Sequence, residues 1–314
     1  MARTSTAWVL LAVVGCILPR SVQAQIDLPA RASAALHIYP DRLGSQSTVD
    51  RAFGLHDLVG LQAAPARLGR RTERVTLYTV RTADGWTVLG VTKANMRAAP
   101  DFQALRGEPA GSAGGHALYT YRSGAGGRLA LVGRDAIAEG TVEALHFGLQ
   151  DAGGDAAAKA RAALARELRR GAKGDVAATL VYVARSDGAS LVQIVTDLGA
   201  IWGPHMVRTI EPYDAVLGLL GSMRGARADV WQAGADLRVR IVLVAEDAGA
   251  AKRSHLALRT ARGLAPMASK AAVGAGSMSA TDAQVLSGVL RSMQSHVDGD
   301  RIYVELQIPG SIVQ

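Results

Sequence analysis

One cysteine, Cys16, stands in the whole chain. Loss of an N-terminal segment carrying it would leave no disulfide, no thiol nucleophile and no thiolate metal ligand. Aromatic residues make up only 4%, so alanine, valine and leucine must fill the core. Lysines number five, Lys93, Lys159, Lys173, Lys252 and Lys270, and none follows a glycine. A phosphate-cradling P-loop requires that Gly-Lys step and is excluded. The Gly124, Gly126, Gly127 stretch lacks the third glycine of a dinucleotide fingerprint and joins two expected strands, so it reads as a hairpin loop. Gly274-Ala275-Gly276 fails for the same missing glycine. No G-x-S-x-G occurs, because Ser222 stands one place early between Gly221 and Gly225. No serine is followed three residues later by lysine. The histidines, His37, His56, His116, His146, His205, His255 and His296, never fall within one helical turn of each other, which excludes HExxH-type zinc sites. Asp298-Gly299-Asp300 lacks the further acidic ligands of a calcium loop and reads as a turn. No cofactor, no metal and no catalytic residue is expected from the pattern.

What is there begins at the N-terminus. Arg3 precedes an apolar run from Ala7 to Leu18, then Pro19, Arg20 and Ser21, then Val22-Gln23-Ala24. That charged, apolar, small-residue order is a secretory signal peptide over residues 1–24. The run is about 12 residues, against roughly 20 for a membrane span. A second reading shares the stretch: Val13-Val14-Gly15-Cys16 resembles a lipobox, whose cysteine would be lipidated and would anchor the chain to a membrane. The expected compartment is therefore periplasmic or secreted, or a membrane-anchored lipoprotein if Cys16 is the acceptor.

The formal charge is +8, with thirty arginines to five lysines. Cleavage after Ala24 removes Arg3 and Arg20 and no acid, leaving 33 bases against 27 acids. Such an excess suits anionic envelope polymers or phospholipid headgroups; nucleic acid is not expected as a partner. Two basic clusters stand out. Lys159, Arg161, Arg166, Arg169, Arg170 and Lys173 lie on and after an alanine-rich helix, read as a solvated face. Arg224, Arg227, Arg238 and Arg240 gather around one hairpin; they read as outward-facing strand residues, with an anion-binding sheet face as the alternative.

Alternation of apolar and polar residues predicts strands at Ala34–Ile38, Arg74–Thr82, Trp86–Thr92, His116–Arg122, Arg128–Gly133, Asp175–Ala184, Arg227–Gln232, Leu237–Ala245 and after Asp298-Gly299. In the last, Ile302, Val304, Leu306 and Ile308 alternate with Arg301, Tyr303, Glu305 and Gln307. Helices are predicted at Thr48–Leu61, around Ala94–Leu105, at Ile137–Leu149 and Ala156–Arg170, within Ser190–Leu220, and from Asp247, as a cap, to about Leu264. Thr281 and Gln284 form a capping box for a further helix with Leu286, Val289, Leu290 and Met293 on one face. Gly153-Gly154-Asp155 divides the mature chain into units 25–152 and 153–314. Each runs strand, helix, hairpin, helix, strand. The expected fold class is α+β: two β-α-β-β-α-β (ferredoxin-like) units in tandem, with mostly antiparallel sheets and helices on one face.

Two phrases carry a resemblance. RLALVGRDAIAEGTVEALHFGL, from Arg128 to Leu149, and VLRSMQSHVDGDRIYVELQIPGSIV, from Val289 to Val313, resemble a loose group of uncharacterised exported bacterial proteins with tandem α+β units. The resemblance implies fold and compartment. It has no active site to carry over. The expected function is a non-catalytic binding or interaction module of the cell envelope, with an envelope protein or anionic polymer as its partner. A periplasmic hydrolase with dispersed catalytic residues and an envelope tether using basic surfaces are the alternatives.

Overall fold

The computed structural model describes residues 32–43, 48–53, 55–60, 62–82, 85–94, 99–124, 126–132, 135–149, 160, 163–165, 167–168, 175–183, 223–274 and 279–312. The expected signal segment with Cys16, the expected boundary at Gly153–Asp155, the Lys159–Lys173 basic cluster and the helices expected within Ser190–Leu220 lie outside the described residues, apart from Ala160, Ala163, Leu164, Ala165, Glu167 and Leu168.

Among the described residues twelve strands form one sheet. They are β1 (Ala32–Ile38), β2 (Thr72–Thr82), β3 (Gly85–Ala94), β4 (Arg106–Ala113), β5 (His116–Tyr121), β6 (Arg128–Val132), β7 (Ala136–Gly140), β8 (Ala178–Val183), β9 (Met223–Ala233), β10 (Asp236–Ala245), β11 (Gln294–Asp298) and β12 (Arg301–Ile308). Their order is β11-β12-β10-β9-β8-β1-β2-β3-β7-β6-β5-β4, and every neighbouring pair is antiparallel. The helices are α1 (Thr48–Phe53), α2 (Leu55–Gly60), α3 (Ala63–Leu68), α4 (Ala99–Leu105), α5 (Val142–Leu149), α6 (Ala248–Gly274) and α7 (Ala280–Ser292).

The α+β class holds, but the ferredoxin-like topology does not. A split β-α-β plan inserts the third strand between the first and second. Here β1 pairs directly with β2, and β8 directly with β9. The helices after β1 therefore close an antiparallel connection and cross over nothing. Nor do the described residues form two sheets. β1 and β8 pair with each other, Leu36 opposite Leu180, and fuse both halves into one ladder. On either side of that central pair stands a hairpin, β2–β3 on one flank and β9–β10 on the other.

Helices also cover both faces, not one. On the first face, Ile38, Leu77, Tyr182, Val239, Ile241, Val304 and their neighbours pack under Val49 of α1, Leu55 of α2, Ala250, Ala251 and Leu258 of α6, and Val289 of α7. Farther out on that face, α3 and α4 cover Leu129 and Ile137 with Leu68 and Phe102. The opposite face, with Val80, Leu89, Val181, Val183 and Val244, packs against Ala144 and Leu145 of α5 and against Ala165 and Leu168. Each fully buried leucine or isoleucine contributes about 1.5–3 kcal/mol. Strands buried on both faces lose the apolar–polar alternation that marks a one-sided sheet.

Three elements depart from the expected boundaries, the first of them for that reason. Ala136–Gly140, expected as the start of a helix, is β7, inserted between β3 and β6. β4, with Gly107, Pro109 and Gly111, is an edge strand with an irregular register against β5, where proline can be tolerated. Helix α6 runs through Pro266 to Gly274. Asp247 caps it as expected, its Oδ1 accepting the Ala250 amide at 2.7 Å.

Candidate functional site

The four arginines of the candidate anion site sit on the β9–β10 hairpin, and the fold gives them different surroundings. Along β9, Ala226, Ala228 and Val230 face the first core, so Arg227, Asp229 and Trp231 face the other way. Register sets Arg240 opposite Asp229 and opposite Glu305 of β12, and Arg238 opposite Trp231 and Gln307. A polar row therefore crosses β8, β9, β10 and β12 on one face.

Arg227 is only 7% exposed and Asp229 1%. Arg227 Nε lies 2.9 Å from Asp229 Oδ2, and an arginine terminal nitrogen donates to the Leu168 carbonyl at 2.7 Å. Thr179 donates its hydroxyl to Asp229 Oδ1 at 3.0 Å. Burial pushes the Asp229 carboxyl above the usual carboxylate range, against the opposing pull of Arg227 and the Thr179 hydroxyl. Arg240 donates to Glu305 at 2.7 Å and stacks over Trp231 at 5.4 Å. Arg224 donates to the Ala245 carbonyl at 3.1 Å and to Asp300 at 2.9 Å. Arg238 is half-buried, and its Nε has no hydrogen-bond partner among the described residues. Three of the four cations thus face a carboxylate from the same sheet or its adjoining turn. The row cross-links strands, and Arg238 stands near the Asp236 carboxylate, which the Gln307 and Gly310 hydrogen bonds and, to a lesser degree, the Arg238 charge hold below its usual range.

A second polar centre lies under α3. Glu139 on β7 shares its face with Ile137 and, across the ladder, with Leu129 and Gly90. It is 2% exposed. Its carboxylate accepts the Ala63 and Ala64 amides at 2.9 and 3.0 Å and the Tyr121 hydroxyl at 2.6 Å. The first-turn amides of α3 have no intrahelical acceptor, and its N-cap residue Gln62 makes no side-chain cap, so a carboxylate from the sheet does this instead. Burial raises the Glu139 carboxyl above its ordinary range and also raises the Tyr121 phenol. Gly90 makes room: a Cβ there would collide with the Gln62 carboxamide.

The third arrangement joins His255 of α6 to Ser295 of β11, with His255 Nε2 and Ser295 Oγ 3.0 Å apart. Neighbouring His296 stacks flat on Tyr303, ring centroids 4.8 Å apart. Among the described residues no group of three His, Cys, Asp or Glu side chains is placed to hold a metal ion.

Sequence reasoning placed the hairpin and the facing of Arg238 and Arg240, but missed their partners. Alternation of Arg227, Asp229 and Trp231 with Ala226, Ala228 and Val230 would have found Asp229. Glu139 was read as helical and gave no signal of its acceptor role. His146 is exposed on α5 and lies edge-on to Phe147.

The fold defines an α+β protein built on one antiparallel sheet with helices on both faces. The chain matches no protein-family model, and no curated protein matches it. Among solved structures it is similar to TP0453, a Treponema protein. Its crystal form I superposes at a TM-score of 0.40 with 10% identity over 93% of this chain and 96% of that one. Crystal form III gives 0.39, 10%, 93% and 94%. A likeness at that level carries no argument about ligand or activity.

Proposed function

We propose that the chain is an exported cell-envelope protein that acts by binding a partner and not by catalysis, in keeping with the group of exported bacterial proteins it resembles. The observation that supports this reading is how the fold uses its charged side chains. Glu139 holds α3, Asp229 holds Arg227, Glu305 holds Arg240, and Asp101 grips Arg71 through two bonds of 2.6 and 2.7 Å. A catalytic site concentrates titratable groups on a shared space where a substrate can sit; these groups each bond to a neighbouring element. The N-terminal segment 1–24 supports export, and no helix among the described residues is long and apolar enough to cross a membrane.

The test is the intact mass of the mature protein from a bacterial host, with its membrane and soluble fractionation. A chain beginning at Gln25 in the soluble fraction supports a free periplasmic or secreted protein. A lipid-modified chain beginning at Cys16 supports an anchored one. An uncleaved chain in the cytoplasm refutes export.

A hydrolase reading has one observation in its favour, the His255–Ser295 contact. A histidine beside a hydroxyl is the first half of a nucleophile–base pair. Labelling of Ser295 by a fluorophosphonate probe, lost in Ser295→Ala and His255→Ala, would support it; an unlabelled folded protein would refute it.

A further inference from the structure

Helix α6 presents an apolar ridge that is exposed among the described residues. Its inner face, Ala250, Ala251 and Leu258, packs on the sheet. On the other side Leu256, Leu264 and Met267 are 64%, 53% and 72% exposed, and they are the large exposed hydrophobic side chains among the described residues of this helix. At about 100° per residue the three fall within one arc of roughly 80°, spread along about 16 Å of helix. Lys252, Arg253, Arg259, Arg262 and Lys270 are exposed on the same helix, and no acidic residue occurs from Ala248 to Gly274.

That charge pattern selects the occupant. A second copy of the chain would bring like charges together along the same ridge, which opposes self-association. A helical peptide partner docks in a groove, whereas a single helix flank bearing large apolar side chains is convex. A bilayer accepts a convex ridge: the apolar side chains enter the acyl boundary while lysine and arginine stems reach back to the headgroups. We infer that α6 is a membrane-surface element that docks the folded protein on anionic lipid, with Leu256, Leu264 and Met267 inserted and Lys252, Arg259 and Lys270 on phosphate headgroups. The inference stands on α6 alone; a chain that proved not to be exported would leave it intact.

The experiment uses the whole protein expressed with its leader and with Cys16→Ser, so that no acyl chain can anchor it. Co-sedimentation is measured with phosphatidylcholine vesicles with and without phosphatidylglycerol. Binding should require phosphatidylglycerol and weaken with salt. The triple variant Leu256→Ser, Leu264→Ser, Met267→Ser should lose binding about tenfold or more at unchanged thermal stability, since these side chains touch water. Lys252→Gln, Arg259→Gln, Lys270→Gln should lose the preference for phosphatidylglycerol. Absence of binding by the parent protein, or equal binding by the triple apolar variant, overturns the proposal. Equal retention of parent and triple apolar variant on a soluble polyanion, with no vesicle binding, would assign the charges to a polymer instead and would also overturn it.

Discussion

Replacing Glu139 tests whether a buried carboxylate from the sheet holds α3 in place. In Glu139→Ala the Ala63 and Ala64 amides and the Tyr121 hydroxyl lose their acceptor. A buried donor left without a partner costs about 1–3 kcal/mol. The phenol and the half-buried Ala63 amide can recover part of this from water, so the loss should be about 3 kcal/mol. Glu139→Gln keeps the shape and removes the charge. Its one oxygen can serve Ala63 and Tyr121, but its amide nitrogen then meets the Ala64 amide donor to donor. Relief of carboxylate burial offsets part of that, leaving a deficit of about 1–2 kcal/mol. The pH dependence gives a sharper check. Burial holds the folded-state pKa of Glu139 above its unfolded value, so the folded state binds more protons between the two. The parent protein therefore gains stability as pH falls through the folded pKa toward the unfolded one, near 4.3 for a free glutamate side chain, roughly. Glu139→Gln cannot titrate there, so its deficit should widen on acidification. Urea unfolding followed by circular dichroism at several pH values measures this directly. Equal stability of parent and Glu139→Gln, or a deficit that narrows as pH falls, would refute the assignment.

Asp229→Ala should cost about 3–5 kcal/mol, because it leaves the buried Arg227 guanidinium without its carboxylate. The double change Arg227→Met, Asp229→Leu should cost less than the single one, as a double-mutant cycle by urea unfolding would show. Gly225→Ala would place a Cβ 2.5 Å from Val183 Cγ2 and 3.2 Å from Leu168 Cδ1. Overpacking there should cost about 1–3 kcal/mol, and Val183→Ala in the same chain should recover part of it in thermal melts. The Asp101 carboxyl is held below its usual range by the Arg71 guanidinium bonded to it. Its contribution is thus present above the unfolded pKa and lost as pH falls through the folded one; Arg71→Ala should return the Asp101 titration, followed by NMR, toward the ordinary carboxylate range.

Local chemistry settled much of the secondary structure. The alternation in Leu237–Ile241 and Ile302–Ile308 fits strands, and Leu237, Val239, Ile241, Ile302, Val304, Leu306 and Ile308 are all buried. The turn at Ala233-Gly234 follows from a glycine whose φ is 66°, a region that costs other residues energy. Asp247 capped α6 as its side chain predicts. What failed locally is equally instructive. Ala136–Gly140 shows no apolar–polar alternation, because β7 is buried on both faces and its one charged side chain, Glu139, is buried with it. No pattern distinguishes such a strand from a helix turn.

The sequence by itself determined the α+β class, the hairpins and the periodic strands, since each depends on spacing along a few residues. The tertiary structure decided the rest: that β1 and β8 join the halves into one sheet, that β1 lies beside β2 without a crossover, that helices cover both faces, and that Glu139, Asp229 and Glu305 bond to residues far along the chain. Strand order and ion pairing across 50 or more residues depend on which surfaces are buried together. Side-chain period reports only that a face is apolar, never which face it will meet.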